Sequence, residues 1–218
     1  MKILVTGVSG MLGLSIIKTL SRKSNYVLYG TCFKNKISIK RCIIKNVDLT
    51  DKKSLNEHLK TISPDIIIHC AALTDVDLCE ENKKLCFETN LKSTSYLSDY
   101  CQKFEKKLIF ISTDSVYGSS RFASTESQKL KPMNNYARSK TLAEKVVKKV
   151  HNHCIIRTNI FGISPKKQGL FDWFFTKLNE GNKFYGFDDA IFNPIYTGDL
   201  SNIILTIIKN NVKGIINV

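Results

Sequence analysis

Three glycines spaced three residues apart, set between an apolar run and an amphipathic one, constrain this chain more than any other feature. Lys2–Thr6 is a short, β-branched apolar stretch of the kind that forms a buried strand. Met11–Lys23 carries Leu12, Ile16, Ile17 and Leu20 on one helical face. Between them stand Thr6-Gly7-Val8-Ser9-Gly10-Met11-Leu12-Gly13. Glycine at such a junction permits a tight turn and lets backbone N–H groups approach an anion closely. The helix N-terminus adds a partial positive charge. The spacing is Gly-x-x-Gly-x-x-Gly rather than Gly-x-Gly-x-x-Gly. A lone glycine motif carries little weight, but between a strand and a helix it points to a bound pyrophosphate.

The same alternation continues along the chain. Tyr26–Tyr29, Cys42–Val47, Asp65–Cys70, Lys107–Ser112, Cys154–Arg157 and Gly214–Val218 read as strands. Asp51–Thr61, Asn82–Phe104 and Met133–Val150 read as helices, as do stretches near Gln168–Asn179 and Gly198–Lys209. Ser119–Lys131 reads as a surface loop leading to Pro132. Apolar strands alternating with helices imply an α/β fold, a doubly wound parallel sheet covered on both faces.

Composition narrows the function classes. No apolar run approaches the roughly 20 residues of a membrane span, and Met1–Val5 runs into the glycine turn without a signal-peptide cleavage site. Seven cysteines with no Cys-x-x-Cys pair fit reduced thiols in a cytoplasmic protein, with neither a disulfide framework nor a metal site. The net charge is +14, yet 28 of the 33 basic residues are lysine, a chain-wide bias that gives no reason to invoke nucleic acid. Its distribution says more: residues 1–47 hold nine basic residues and no acidic one. That suggests a local anionic ligand.

Three further features carry chemistry. A site specific for NAD usually places Asp or Glu about 20 residues past the glycines, on the ribose 2′-hydroxyl. Here no carboxylate precedes Asp48; Lys34, Lys36 and Arg41 can meet a 2′-phosphate instead, or form a solvated face. NADP(H) is therefore the expected cofactor, with NAD(H) as the alternative. Tyr136 and Lys140 lie one helical turn apart on one face. A phenol is a poor acid–base group near neutrality unless a cation favours phenolate, and Lys140 can supply that cation. Thr113 follows the strand Lys107–Ser112, where its hydroxyl can hold a substrate carbonyl beside Tyr136 or simply cap the strand end.

With these residues in place, the chain resembles the extended short-chain dehydrogenase/reductase superfamily, most closely its dTDP-4-dehydrorhamnose reductase group. The matching stretches include Val5–Gly13, Asp48–Asp51, Pro64–Ala72, Thr89-Asn90, Ser112–Gly118, Asn135–Lys140, Ile156–Thr158 and Asn193–Leu200. The resemblance implies a Rossmann domain over residues 1–160 and part of a substrate-binding region over 161–218, whose helix and strand return to the sheet. It implies that Gly7, Gly10 and Gly13 cradle the pyrophosphate, that Met11 and Leu12 between them also bind cofactor, that Asp48 and Leu49 lie at the adenine, and that Ala71 and Ala72 pass the ribose. Thr113, Tyr136 and Lys140 would form the catalytic set, with Tyr136 and Lys140 also contacting cofactor. The implied activity is NADPH-dependent reduction of a 4-keto-6-deoxy nucleotide sugar, with a nucleotide-sugar epimerase or a non-catalytic NADP-binding regulatory subunit as alternatives. A nucleotide sugar and a second copy of the chain are the implied partners. Relatives usually continue past a strand such as Gly214–Val218, so an incomplete substrate pocket is expected here. That strand would then be an uncovered sheet edge. The aromatics Trp173, Phe174, Phe175, Phe184, Tyr185 and Phe187 would line a pocket or, more in keeping with their spacing, pack a helix.

Overall fold

The structure, a computed structural model, describes residues 1–34, 37–119, 123–165, 169–181, 183, 185–186 and 192–218. Its frame is a seven-stranded parallel sheet. The strands are β1 (Lys2–Thr6), β2 (Val27–Cys32), β3 (Cys42–Asn46), β4 (Ile66–His69), β5 (Lys107–Ile111), β6 (His153–Arg157) and, last in the chain, β9 (Gly214–Asn217). They lie in the order β3-β2-β1-β4-β5-β6-β9. The order reverses between β1 and β4, where Thr6 pairs in register with His69. Open sheets of this kind bind ligands in the crevice beyond the carboxyl ends of the strands at such a point.

Both faces of the sheet are buried, as continuous apolar strands require. Ile3 and Val5 face one core, shared with Ile16, Ile17 and Leu20 of α1 (Met11–Leu20) and with Leu200, Ile204 and Ile208 of α8 (Thr197–Lys209). Leu4 faces the other, with Leu55 and Leu59 of α2 (Lys52–Ile62), Leu97 of α5 (Ser93–Lys103) and Val147 of α6 (Asn135–Val147). The helices start where the sequence supplies caps. Asp51 accepts from the N–H groups of Lys53 and Ser54, and Asn134 accepts from that of Ala137. The helix expected from Met133 thus begins at Asn135, because the Asn134 side chain sets its first turn.

The largest departure lies in the region expected to be one helix over Asn82–Phe104. It begins earlier and is broken: α3 (Val76–Glu81), α4 (Lys83–Phe87), a π turn over Glu88–Lys92, then α5. Asn82 interrupts the first join, its side chain accepting from the Leu85 N–H. Within the π turn the Asn90 side chain leaves the helix, accepting from the Leu73 N–H at 2.7 Å and donating to the Leu73 carbonyl at 3.0 Å. Thr94, Ser95 and Ser98 each donate back to a carbonyl one turn earlier, a habit that bends helices. A hydrophobic periodicity does not register such side-chain competition.

A second, two-stranded sheet joins β7 (Asn159–Phe161) to β8 (Pro194–Tyr196), runs too short for an alternation pattern to reveal. The remaining helix, α7 (Leu170–Glu180), exposes Trp173, Phe174 and Phe175, contrary to the packing expected of them. Tyr185 is exposed too, while Phe184 and Phe187 lie outside the described residues. Strand β9 does form an edge, but its residues are half-buried. Asn217 there donates its backbone N–H to the Glu126 carboxylate and its side-chain amide to the Ser124 carbonyl, so the loop partly covers it.

Helix α1 sits unusually close to the glycine turn. A Cβ on Gly13 would lie 2.3 Å from the Gly7 carbonyl oxygen and 2.9 Å from Val8 Cα. Both are backbone atoms and cannot swing away. Gly13→Ala is therefore expected to lower the free energy of unfolding by about 1–3 kcal/mol, seen as a lower urea midpoint at unchanged slope. An unaltered midpoint would contradict this packing.

Candidate active site

A cavity of about 490 Å³ opens at the reversal between β1 and β4, a size typical of ligand sites. Its floor is the glycine turn. Gly7 adopts φ +70°, and a Cβ there would stand 2.9 Å from the Ala71 backbone. Gly10 donates its N–H to the Gly7 carbonyl at 2.9 Å. Helix α1 has no side-chain cap and no acid in its first turn, so its positive end is left to an anion. The buried Thr31 hydroxyl lines the same cavity and has no hydrogen-bond partner among the described residues. A glycine cradle, an uncompensated helix end and an unpaired hydroxyl fit a dinucleotide.

The cavity gathers Gly7, Gly10, Lys34, Asp48, Leu49, Ala71 and Ala72 from the expected cofactor set. The other members stand behind it. Leu12 is buried in the core, Gly13 packs on the turn, and Met11 reaches toward Gly162 and Gly169. Asp48 is partly committed already, its Oδ1 accepting from the N–H and hydroxyl of Thr50 at 2.8 and 2.7 Å. Lys34 is exposed at the rim, its ammonium 5.5 Å from the centre of the Phe33 ring. Arg41 turns away, donating to the Lys23 carbonyl, and is not part of the lining. Lys36 lies outside the described residues.

The wall formed by Cys70 and Ala71 is held by a buried relay. Burial takes the His69 imidazole down to about 3, so it is neutral. Thr94 spends its proton on the Asn90 carbonyl and so accepts from His69 Nε2–H at 3.0 Å. His69 Nδ1 then accepts from the Thr6 hydroxyl at 2.7 Å. The Thr6 oxygen in turn accepts the N–H groups of Cys70 and Ala71, both at 3.2 Å.

Thr113, Tyr136 and Lys140 gather at the carboxyl end of β5, beside the cavity. Thr113 caps the 3₁₀ turn Asp114–Tyr117, accepting from the Ser115 N–H, and its hydroxyl, 3.2 Å from Asp114 Oδ1, also faces the Tyr136 phenol. The capping and substrate-facing readings of Thr113 are thus compatible. Burial pushes the Tyr136 phenol up to about 12, against the Thr113 hydrogen bond, with the Asp114 charge adding to the rise. This corrects the expectation that Lys140 favours phenolate. The Lys140 ammonium is drawn instead to the Ile111 carbonyl at 2.6 Å and lies 4.1 Å from the centre of the Phe110 ring. Burial lowers Lys140 to about 8, opposed by Cys70 and Glu144.

Several residues of this neighbourhood escaped the sequence reading. Glu144 stands one turn past Lys140 and pairs with Arg157 through Nη2 at 2.7 Å and Nε at 3.0 Å, both side chains almost fully buried. Ser112 donates to the same carboxylate at 2.6 Å. Arg157 also donates to the Tyr117 hydroxyl at 2.7 Å, and Tyr117 donates to Asn217 Oδ1 at 2.7 Å. The spacing Tyr136, Lys140, Glu144 offered a signal for the acid, and an arginine inside an apolar strand offered one for its partner.

The sequence matches the family described as the RmlD substrate binding domain over residues 1–216. The chain belongs to that family. With it the chain falls among the extended short-chain dehydrogenases/reductases, as an oxidoreductase. A probable low-salt glycan biosynthesis reductase of Haloferax volcanii, Agl14, is 29% identical over 98% of this chain and 73% of its own length. A dTDP-4-dehydrorhamnose reductase of Aggregatibacter actinomycetemcomitans is 25% identical over 98% of this chain and 69% of its own. Among solved structures, a dTDP-4-dehydrorhamnose reductase from Bacillus anthracis in complex with NADP superposes with a TM-score of 0.84 at 27% identity, covering all of this chain and 74% of that one. Among the described residues, no helix is long and apolar enough to cross a membrane.

The Lys140 environment has a consequence for stability. An exposed lysine holds its proton to near 10.5, whereas folded Lys140 releases it near 8. Between these values the unfolded chain binds a proton that the folded chain does not, so this group makes stability rise with pH across that window. Wild-type stability relative to Lys140→Met is expected to rise by about 1.4 kcal/mol per pH unit there, followed by urea unfolding of the cofactor-free protein. A constant difference from pH 8 to 10.5 would show that burial does not penalise the ammonium.

Proposed function

We propose that this chain is an NADPH-dependent reductase of a 4-keto-6-deoxy nucleotide sugar, with Tyr136 as the proton donor. The grouping of Thr113, Tyr136 and Lys140 beside a cavity floored by the glycine turn carries this reading. The nicotinamide, when bound, supplies the hydride that reduces the sugar keto carbon. The chain's own residues hold the substrate and manage the proton. Thr113 holds the keto oxygen by a hydrogen bond and keeps it next to the phenol. A phenol held near 12 remains protonated at neutral pH, which suits a donor to the oxygen that gains negative charge. Lys140 reaches the ribose side of the site from the same helix face, and its buried cation favours that developing negative charge.

The cofactor roles follow the cavity lining. Gly7, Gly10 and the first N–H groups of α1 take the pyrophosphate, Met11, Leu12 and Gly13 contributing backbone only. Asp48 and Leu49 border the adenine, and Ala71 and Ala72 the ribose. Lys34, exposed at the rim in the acid-free stretch before Asp48, selects the 2′-phosphate. The NADP complex of the related reductase and the glycan and dTDP-sugar names of the relatives support this assignment.

Two measurements test the reading. Tyr136→Phe keeps the ring and removes the proton, so turnover of a dTDP-4-keto-6-deoxy sugar should fall by about 10²–10⁴ while NADPH affinity stays near wild type. Wild-type turnover in that variant would refute the donor role. In titrations of both cofactors, one charge-assisted bond to a phosphate implies about ten- to a hundredfold tighter NADPH than NADH, and Lys34→Ala should erase that margin. Equal affinities in the wild-type chain would refute the role given to Lys34.

A further inference from the structure

The broken helical region between Val76 and Lys103 runs along the start of α6, and it touches that start at successive points. Glu80, the fifth residue of α3, accepts from the Asn135 backbone N–H at 2.6 Å and from the Asn135 side-chain amide at 2.8 Å. Cys86, in α4, directs its thiol at the Asn135 carbonyl at 3.7 Å. Asn90, in the π turn, donates to the Ser139 hydroxyl at 3.0 Å, and Ser139 donates to the Tyr136 carbonyl at 2.6 Å. The peptide unit before the Tyr136 Cα is thus met from α4, and the one after it is bonded by Ser139 of α6, which Asn90 holds from outside the helix.

The Glu80 contacts stand apart from ordinary helix capping. Helix α6 already has its own cap, since Asn134 accepts from the Ala137 N–H at 2.7 Å. Glu80 instead fixes both the backbone and the side chain of the residue immediately before Tyr136. Charge-assisted bonds of this length are among the stronger ones available. Glu80 itself is exposed, whereas Asn135 is buried, so the carboxylate reaches inward from the surface to a fixed point. Helix α3 leaves the cavity wall directly after Ala71, Ala72 and Leu73, which line it. One short segment thus connects the wall of the cavity to the seat of the phenol.

We propose that Glu80 is a positioning residue for Tyr136, acting through Asn135 at the first turn of α6. It touches neither cofactor nor substrate, and its work is to hold the phenol where Thr113 and the reacting oxygen meet it. The proposal rests on the reductase reading for its kinetic arm only.

The variants are Glu80→Ala, Glu80→Gln and Asn135→Ala, each made alone and in the Tyr136→Phe background. A displacement of about 1 Å in a reacting group costs on the order of a hundredfold, so Glu80→Ala is expected to lower kcat by about ten- to a hundredfold. Its Kd for NADPH should stay within about twofold of wild type. Asn135→Ala keeps the backbone bond and should lose less. Glutamine retains both bonds once the Asn135 amide turns over, so Glu80→Gln should recover most of the lost rate. In the Tyr136→Phe background, Glu80→Ala should change residual turnover by less than about twofold, because the group it positions is gone. A general structural role would instead lower the rate by the same factor in both backgrounds. If Glu80→Ala does not fold, Glu80→Gln and Asn135→Ala carry the same comparison. A second arm needs no turnover. With an isotope label on the tyrosine ζ carbon, the Tyr136 resonance, assigned by its loss in Tyr136→Phe, should shift or broaden in Glu80→Ala and stay in place in Glu80→Gln. An unmoved resonance, or equal rate losses in both backgrounds, overturns the proposal. A moved resonance in a chain whose wild type turns over no keto-sugar nucleotide leaves the positioning in place and overturns the reductase reading.

Discussion

The close contact between Gly13 and the Gly7 carbonyl is the constraint on which the rest of the structure depends. It lets α1 start against β1 with no side chain between them, so the positive end of the helix faces the crevice at the β1–β4 reversal. The same turn brings Gly7 within reach of the Ala71 backbone, closing the floor of the cavity against its wall. A side chain at either glycine would push the helix or the β4 exit away, and the cavity would lose its shape.

Two buried polar networks then hold the carboxyl ends of the strands. Thr6, His69 and Thr94 join β1, β4 and α5 without any net charge, since the imidazole stays neutral. Ser112, Glu144, Arg157, Tyr117 and Asn217 join β5, α6, β6 and β9 around an ion pair that is almost wholly buried. Such a pair contributes little net stability by itself, but breaking it by removing one partner is costly, on the order of 3–5 kcal/mol. It therefore specifies geometry more than it adds stability. Both networks lie directly beneath the ends where the cavity and the Thr113–Tyr136–Lys140 group stand, and fully paired polar groups keep those ends in one arrangement.

Electrostatics at Tyr136 and Lys140 follow from the same burial. The phenol is raised and the ammonium lowered by desolvation, each toward its neutral form. The lysine rests on a carbonyl and an aromatic face instead of turning the tyrosine into a phenolate. The raised phenol of Tyr136 is set by its surroundings rather than by its neighbour one turn away.

The sequence by itself determined the parallel α/β frame, the glycine turn, the acid-free stretch that carries Lys34, and the candidate trio of Thr113, Tyr136 and Lys140. These are legible because they depend on local pattern: apolar runs, glycines at a strand–helix junction, and residues one turn apart. The tertiary structure alone decided the break at Asn90, the turning away of Arg41, and the relay through His69. It alone brought Glu144 to Arg157 and Glu80 to Asn135. Each of these rests on a hydrogen bond between residues distant in the chain, or on a side chain that leaves its own helix to make one. No periodicity encodes such a bond, because the partner is chosen by how the elements pack and by the cost of leaving a buried polar group unpaired.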